Sequence, residues 1–170
     1  MVRKRITNEN AAFWQDFRTE TKKHAKSIRN SPSLDDLVRD YKTMEAGFIS
    51  RAKGKSTLIL ETKRCIAECL LRAAIIRNEP FEVADKLFSD LCEIGFVNVQ
   101  VKLDVYMIFA RYSSWSGHID EGIVMLRQLV SEMEDQRRRQ KKSLFTRAIN
   151  YVTPLIEELT RQKEQPGCDE

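Results

Sequence analysis

The chain has 170 residues, of which 42% are hydrophobic and 32% charged, and its formal net charge is +4. This composition is typical of a soluble globular protein with one core, and no apolar run approaches the ~18 residues of a membrane-spanning helix. With only 6 Gly and 4 Pro and many good helix formers, the chain is predicted to be all-α.

The first three predicted helices follow from apolar periodicity and from the residues that flank them. The first spans about Asn10–Arg29. Ser33 is expected to cap the second, with Asp36 as the acid of a capping box, and Gly54 suits a left-handed position after its end. The third spans about Thr57–Arg77 and is apolar on much of its circumference, so we expect it to be contacted from more than one side.

Four more helices are predicted in the second half of the chain. Pro80 opens the fourth and Gly95 ends it, and Asn98 is expected to cap the fifth. Gly117 turns the chain into the sixth, whose end lies in or before "DQRRRQKKS". The seventh, about Ser143–Gln162, contains Pro154, for which we expect a kink because the apolar period continues beyond it.

We expect these seven helices to pack as antiparallel hairpins in a single domain of residues 1–163. Residues 1–56 would form an N-terminal hairpin, 57–136 two repeat-like hairpins, and 137–163 a C-terminal capping helix. Residues 164–170 are expected to be a frayed tail.

The fourth and sixth predicted helices share a pattern of small and large apolar residues. A shift of 38 residues gives three equivalences: Ala84 with Gly122, Phe88 with Leu126, and Leu91 with Leu129. The small residue would let two antiparallel helices approach closely, and the large one would fill the groove beside it. A repeated hairpin of this kind buries its apolar face by stacking on the next one. The alternative is an ordinary helical bundle whose two hairpins happen to align.

Residues 64–136 resemble tetratricopeptide-type helical repeats. The resemblance is carried by eight residues of the second hairpin and, more weakly, by three of the first: Tyr106, Phe109, Ala110, Gly117, Asp120, Glu121, Gly122 and Leu126, then Leu71, Ala84 and Phe88. The stretch "VADKLFSDLCEIG" also resembles a pentatricopeptide repeat. The first resemblance implies a non-catalytic protein-interaction adaptor, and the second implies RNA binding.

Cysteine and histidine give little sign of catalysis. Cys65 and Cys69 lie one helical turn apart, and with Cys92 they could be imagined as a metal or redox site, but small buried apolar positions explain them better. The four cysteines, which include Cys168, do not have disulfide-framework spacing, and the charged N-terminus has no apolar stretch behind it, so we expect a cytoplasmic protein.

Neither histidine has the sequence context of a catalytic base. His118 lies in the turn before the sixth helix and His24 among lysines. Asp35 and Asp36 are explained by favourable charge at a helix N-terminus. No phosphate loop or hydrolase motif is present, so we predict no enzymatic activity and no cofactor.

Two sets of basic residues are candidate binding sites. Arg72, Lys102 and Arg111 are expected to line the inner face of the hairpins, where a protein segment would bind. A phosphate-binding surface would instead use five cations of the run "RRRQKK": Arg137, Arg138, Arg139, Lys141 and Lys142.

The charge pattern leaves alternatives to the adaptor. Lys and Arg outnumber Asp and Glu in residues 1–64 and 137–170, whereas acidic residues predominate in 65–136. The RNA-binding alternative would add the N-terminal cations, such as Arg3, Lys4 and Arg5, to the basic run. A homodimer, in which basic ends meet the acidic middle of the mate, is a third hypothesis.

Overall fold

A computed structural model describes residues 8–164, and this part of the chain consists of seven α-helices and their connections. Their bounds are α1 Asn8–Ser27, α2 Leu34–Arg51, α3 Ser56–Ile76, α4 Phe81–Ile94, α5 Val99–Trp115, α6 Ile119–Gln140 and α7 Ser143–Glu164. No strand is present in the described residues. The all-α prediction with seven helices is therefore confirmed. Of the predicted tail at 164–170, Glu164 is the last residue of α7, and residues 165–170 lie outside the described residues, as do the N-terminal cations Arg3, Lys4 and Arg5.

Most predicted helix ends are confirmed by their capping geometry. The Ser33 hydroxyl accepts a hydrogen bond from the Asp36 amide at 3.1 Å, and the Asn98 side chain accepts one from Val101 at 2.9 Å. Gly54, Gly95 and Gly117 follow α2, α4 and α5 with positive φ, a region open to glycine without a Cβ clash. These caps and turns fix where each helix begins and ends.

The helices form two compact units. One contains the described residues up to Glu79 together with Ser89–Gly95, and the other contains Pro80–Phe88 together with the described residues from Phe96 onward. Consequently α4 contributes its first half to the second unit and its last residues to the first. The prediction of one domain divided at residues 56 and 136 stays a prediction.

In the first unit, α1 and α2 are antiparallel and pack on α3. Phe13 and Phe17 of α1 contact Phe48 of α2 edge-on, with ring centroids 5.3 and 5.0 Å apart. A small cluster joins Ile28, just after α1, to Leu37 of α2 and Ala73 of α3. The expectation that α3 is contacted on several sides is only partly met, because Leu60 and Ile76 are exposed.

In the second unit, α5, α6 and α7 share one apolar core. Its buried members come from all three helices: Leu103, Ala110, Ile123, Leu126, Leu129, Met133, Phe145, Ala148, Val152, Leu155 and Leu159. α7 is continuous through Pro154, so the preference for a helix that continues past the proline is confirmed. Proline costs one backbone hydrogen bond there, and the buried residues on both sides of it hold the helix together.

Candidate functional site

The second unit holds α5 and α6 in a close crossing. A Cβ built on Gly122 would lie 3.0 Å from the carbonyl oxygen of Ala110 and 3.4 Å from the Ser113 Cβ. Any side chain at Gly122 would therefore push the α5 backbone away. The role predicted for this small residue matches the geometry, and it makes the hairpin a rigid support for the side chains that α5 presents.

The α7 helix runs alongside α5 in the same direction. The Arg111 guanidinium of α5 pairs with the Glu158 carboxylate of α7 at 3.3 Å, and one turn further the Ser114 hydroxyl donates to Gln162 at 3.3 Å. The contact moves from Arg111 to Ser114 along α5 as it moves from Glu158 to Gln162 along α7, so the two helices run in the same direction. Their outer sides form a continuous surface on one side of the unit.

Trp115, at the end of α5, lies on this surface and is 78% exposed. It lies four residues after Arg111, so both side chains are on one face of α5. Trp115 falls within the apolar period of α5, yet its ring is exposed. Tryptophan is usually well buried because its ring is the largest apolar side chain, so this exposure requires an explanation.

Two residues of α7 continue the exposed surface. Tyr151 is 50% exposed and Leu144 is 45% exposed. Leu144, Tyr151 and Glu158 are spaced by seven residues and so lie in one stripe, about 21 Å long at 1.5 Å per residue. Glu158, at one end of this stripe, contacts Arg111 of α5.

We call this surface the α5–α7 face and define it by Arg111 and Trp115 of α5 with Leu144, Tyr151 and Glu158 of α7. It combines two exposed aromatic rings and an exposed leucine with one ion pair. Trp, Tyr and Arg are the residue types that dominate binding energy at protein interfaces. The α5–α7 face thus has the residue composition typical of a protein interface.

Lys102 does not lie on this face. Its ammonium group pairs with Glu132 of α6 at 2.6 Å, and its side chain is only 18% exposed. Nine residues separate Lys102 from Arg111, which places them on opposite sides of α5 at about 100° per residue. The prediction that Lys102 and Arg111 share one binding face is therefore corrected.

Arg72 belongs to the first unit and is paired within its own helix. Its guanidinium contacts Glu68 at 2.9 Å, one turn earlier in α3. Intrahelical pairs of this spacing are common on solvated helix surfaces. A role for Arg72 in partner binding stays a prediction.

The basic run lies mainly on α6, which continues to Gln140. Arg137, Arg138 and Arg139 occupy the last turn of α6, and Lys141 ends the helix in a left-handed conformation with φ 49°. All five candidate cations, including Lys142, are exposed. Cations at the last turn stabilise a helix by interacting with its carbonyl ends, which accounts for part of the cluster.

The described cysteines, Cys65, Cys69 and Cys92, are half-buried. Burial raises the pKa of Cys65 to about 11 and that of Cys69 to about 12, and the Glu68 carboxylate acts in the same direction. Both thiols are thus protonated at neutral pH and are poor nucleophiles and poor metal ligands. Cys168 lies outside the described residues.

The two histidines and Asp36 have structural partners. The His118 ring stacks on Phe81 at 3.8 Å, and its Nδ1 lies 3.4 Å from Glu121. The His24 ring packs 5.3 Å from Tyr41. Hydrogen bonds from Ser33 and then Arg39 lower the pKa of Asp36, consistent with its capping role.

Neither a metal site nor a membrane-spanning helix is present in the described part of the chain. Within residues 8–164, no group of three His, Cys, Asp or Glu side chains could hold a metal ion. None of the seven described helices is both long and apolar enough to cross a membrane. Comparison with known proteins finds no matching family model, no matching curated protein and no matching solved structure.

The sequence analysis identified Arg111 but missed Trp115, Leu144 and Tyr151. All three fall close to an apolar helical period, and a period does not distinguish a core position from a neighbouring exposed one. One signal was present for Trp115: it follows the charged residue Arg111 by one turn, so the two side chains share a face of α5.

Proposed function

We propose that this protein is a non-catalytic adaptor that binds a protein partner on its α5–α7 face. The observation that carries the proposal is the exposure of Trp115 beside Arg111 on a rigid helix. The tetratricopeptide-type resemblance of residues 64–136 supports the same class of function, and we expect such an adaptor to act in the cytoplasm.

The face has features that favour association with a protein. Burying the Trp115 ring and the exposed part of Tyr151 against a partner would remove a large apolar area from water. The side chains project from helices whose other sides are buried, so little conformational entropy is lost when the partner binds. An exposed ion pair such as Arg111–Glu158 contributes little to folding, which leaves Arg111 available to a partner carboxylate or carbonyl.

The second candidate function is RNA binding through the cations near the end of α6. Its supporting observation is the exposure of five cations: Arg137, Arg138, Arg139, Lys141 and Lys142. The ion pair between Arg138 and Asp135 is long, at 3.7 Å. Such a site would bind phosphates, and affinity would fall steeply with salt because counterions are released on binding. We favour the first function because the aromatic rings lie on the α5–α7 face and not within the basic run.

Site-specific photo-cross-linking in cells distinguishes these candidates. A photoreactive phenylalanine analogue is placed at Trp115 and, in a matched control, at Val124, an exposed apolar position of α6. We expect a discrete protein adduct at position 115 and none at 124. Adducts with a second copy of the chain would instead support the homodimer.

A variant with all five cations replaced by Gln completes the experiment. We expect it to keep the position-115 adduct. Loss of that adduct, together with salt-sensitive binding of single-stranded RNA by the parent chain, would overturn the proposal in favour of RNA binding.

A further inference from the structure

A groove of about 370 Å³ lies between α1 and α2, within the first unit. Two residues of α1 line one side of it, Glu20 and His24, and the other side is lined by residues of α2: Asp40, Thr43, Met44, Gly47, Phe48 and Arg51. None of these residues belongs to the α5–α7 face. The groove is thus a separate feature that the proposed adaptor function does not explain.

Gly47 is the feature of this groove that folding does not account for. Glycine in the middle of a helix is unfavourable because it loses the most backbone freedom on folding. A Cβ at Gly47 would nevertheless meet no described atom within 4 Å outside its own helix backbone and chain neighbours. The glycine is therefore not needed for packing within the described chain, and what it provides is open space at the base of the groove.

The groove has an apolar base that accepts a guanidinium. Met44 and Phe48 are buried and present their side chains at its floor. At one end the Arg51 guanidinium lies 4.8 Å from the centre of the Phe48 ring, and Asp16 of α1 holds it there. A planar cation over an aromatic ring is a favourable contact, and the chain already makes one such contact here.

Two carboxylates line the groove: Glu20 of α1, and Asp40 of α2, which lies about two turns before Gly47. Glu20 pairs at 2.6 Å with Lys23 on its exposed surface. Asp40 is exposed, and no basic side chain within residues 8–164 forms an ion pair with it. Two acidic groups above an apolar base are complementary to a cation carried on an aliphatic stem.

We propose that this groove binds an arginine side chain of a partner protein. The stem would lie over Gly47 and Met44, and the guanidinium would form hydrogen bonds with Asp40 and Glu20. Arginine fits better than lysine because its planar fork reaches two carboxylates at once and is more weakly hydrated. The small residue at position 47 then has a reason, since any larger side chain would occupy the place of the stem.

The test uses N-acetyl-arginine N-methylamide as the probe, followed by amide chemical shifts of the isotope-labelled full chain. The citrulline counterpart, which is nearly the same in shape but neutral, is the matched ligand control. We expect saturable shifts at Gly47 and neighbouring amides with the arginine probe, and roughly tenfold or greater weakening with citrulline, because charge-assisted hydrogen bonds are lost. Equal binding of both probes, or no saturable shift near Gly47, would overturn the proposal.

Three variants locate the site. Gly47→Leu should abolish the shifts while the rest of the spectrum keeps its dispersion, because the new side chain fills space that is empty. Asp40→Asn should weaken the arginine probe about tenfold. Trp115→Ala should leave binding of the probe unchanged, so a failure of the adaptor proposal and a failure of this one are distinguishable.

Two further results would count against the site or its ligand. Retained binding by Gly47→Leu would place the site elsewhere. Tighter binding of spermidine than of the arginine probe would show that the groove takes a free polyamine and not a protein side chain.

Discussion

Gly122 and Gly47 are both glycines inside helices, and their surroundings differ completely. Gly122 of α6 touches the Ala110 backbone of α5, so its missing side chain lets two helices approach. Gly47 of α2 faces the open groove between α1 and α2. The comparison shows that one residue type serves a closed helix crossing in one unit and an open surface in the other.

The difference has a consequence for what each glycine tolerates. At Gly122 the nearest atoms are backbone, which cannot move without displacing α5. At Gly47 a new side chain would displace only solvent. We therefore expect the same substitution to change the free energy of unfolding in opposite directions at the two positions.

The largest effect is expected in the second unit, where Phe88 of α4 stacks on Phe109 of α5 with ring centroids 4.3 Å apart. Phe88 is buried, so Phe88→Ala should lower the free energy of unfolding by ~3–5 kcal/mol. Chemical denaturation measures the change. Val97→Ala, at an exposed apolar position, is the control and should stay within about 0.5 kcal/mol. Equal midpoints for the two variants would show that this unit is not tightly packed.

The paired substitution of leucine for each glycine tests the comparison itself. Gly122→Leu should destabilise the chain by ~1–3 kcal/mol through overpacking against Ala110. Ala84→Leu should behave in the same way, since Ala84 is fully buried and is the sequence equivalent of Gly122. Gly47→Leu should not destabilise. Thermal melts of the three variants measure the change in stability. If Gly47→Leu lowers the thermal midpoint as much as Gly122→Leu does, the two glycines do not differ in what they tolerate.

A third prediction concerns the start of α2, upstream of the open groove. Ser33→Ala removes the hydroxyl that accepts from the Asp36 amide and donates to its carboxylate at 2.8 Å, so stability should fall by ~1 kcal/mol. The pKa of Asp36, now below its usual value of 3.8, should rise towards it. A carboxyl with a lowered pKa stabilises the fold above its unfolded pKa, and this stabilisation is lost as pH falls through the folded value. Carboxyl carbon shifts followed across acid pH measure the change, and an unmoved titration in the variant would contradict it.

The smallest effect is expected from Gly47→Ala. Alanine adds only a methyl group that meets open space, and it restricts the unfolded chain, so stability should rise by ~0.5–1 kcal/mol. A rise in the thermal midpoint would sharpen the contrast with Gly122. A fall would mean that the groove closes on Gly47 in solution.

Much of the fold was predictable because local signals agreed with one another. The caps at Ser33 and Asn98 and the turn at Gly117 are short-range features that leave a direct mark in the sequence. The role of Gly122 was accessible from its alignment with Ala84. The end of α6 was not fixed in advance, because the cations in its last turn suit a helix and a solvated loop equally well.

The candidate sites were less predictable because they depend on which helix lies beside which. Lys102 and Arg111 were placed on one face, yet they are on opposite sides of α5, where α6 engages one and α7 the other. Trp115 falls close to the apolar period of α5, and its exposure depends on which side of α5 the neighbouring helices cover. The groove at Gly47 left no sequence signal, since a glycine that faces solvent has the same letter as one at a crossing.

The central claim is that the exposed Trp115 ring anchors a protein partner, and the most direct test is quantitative affinity capture from the native cells. Trp115→Ala is compared with Val124→Ala and the parent chain, all three with the same thermal midpoint because both side chains are exposed. We predict that at least one protein is retained by the parent and by Val124→Ala and is lost from Trp115→Ala. Identical sets of captured proteins for the two variants would contradict the account.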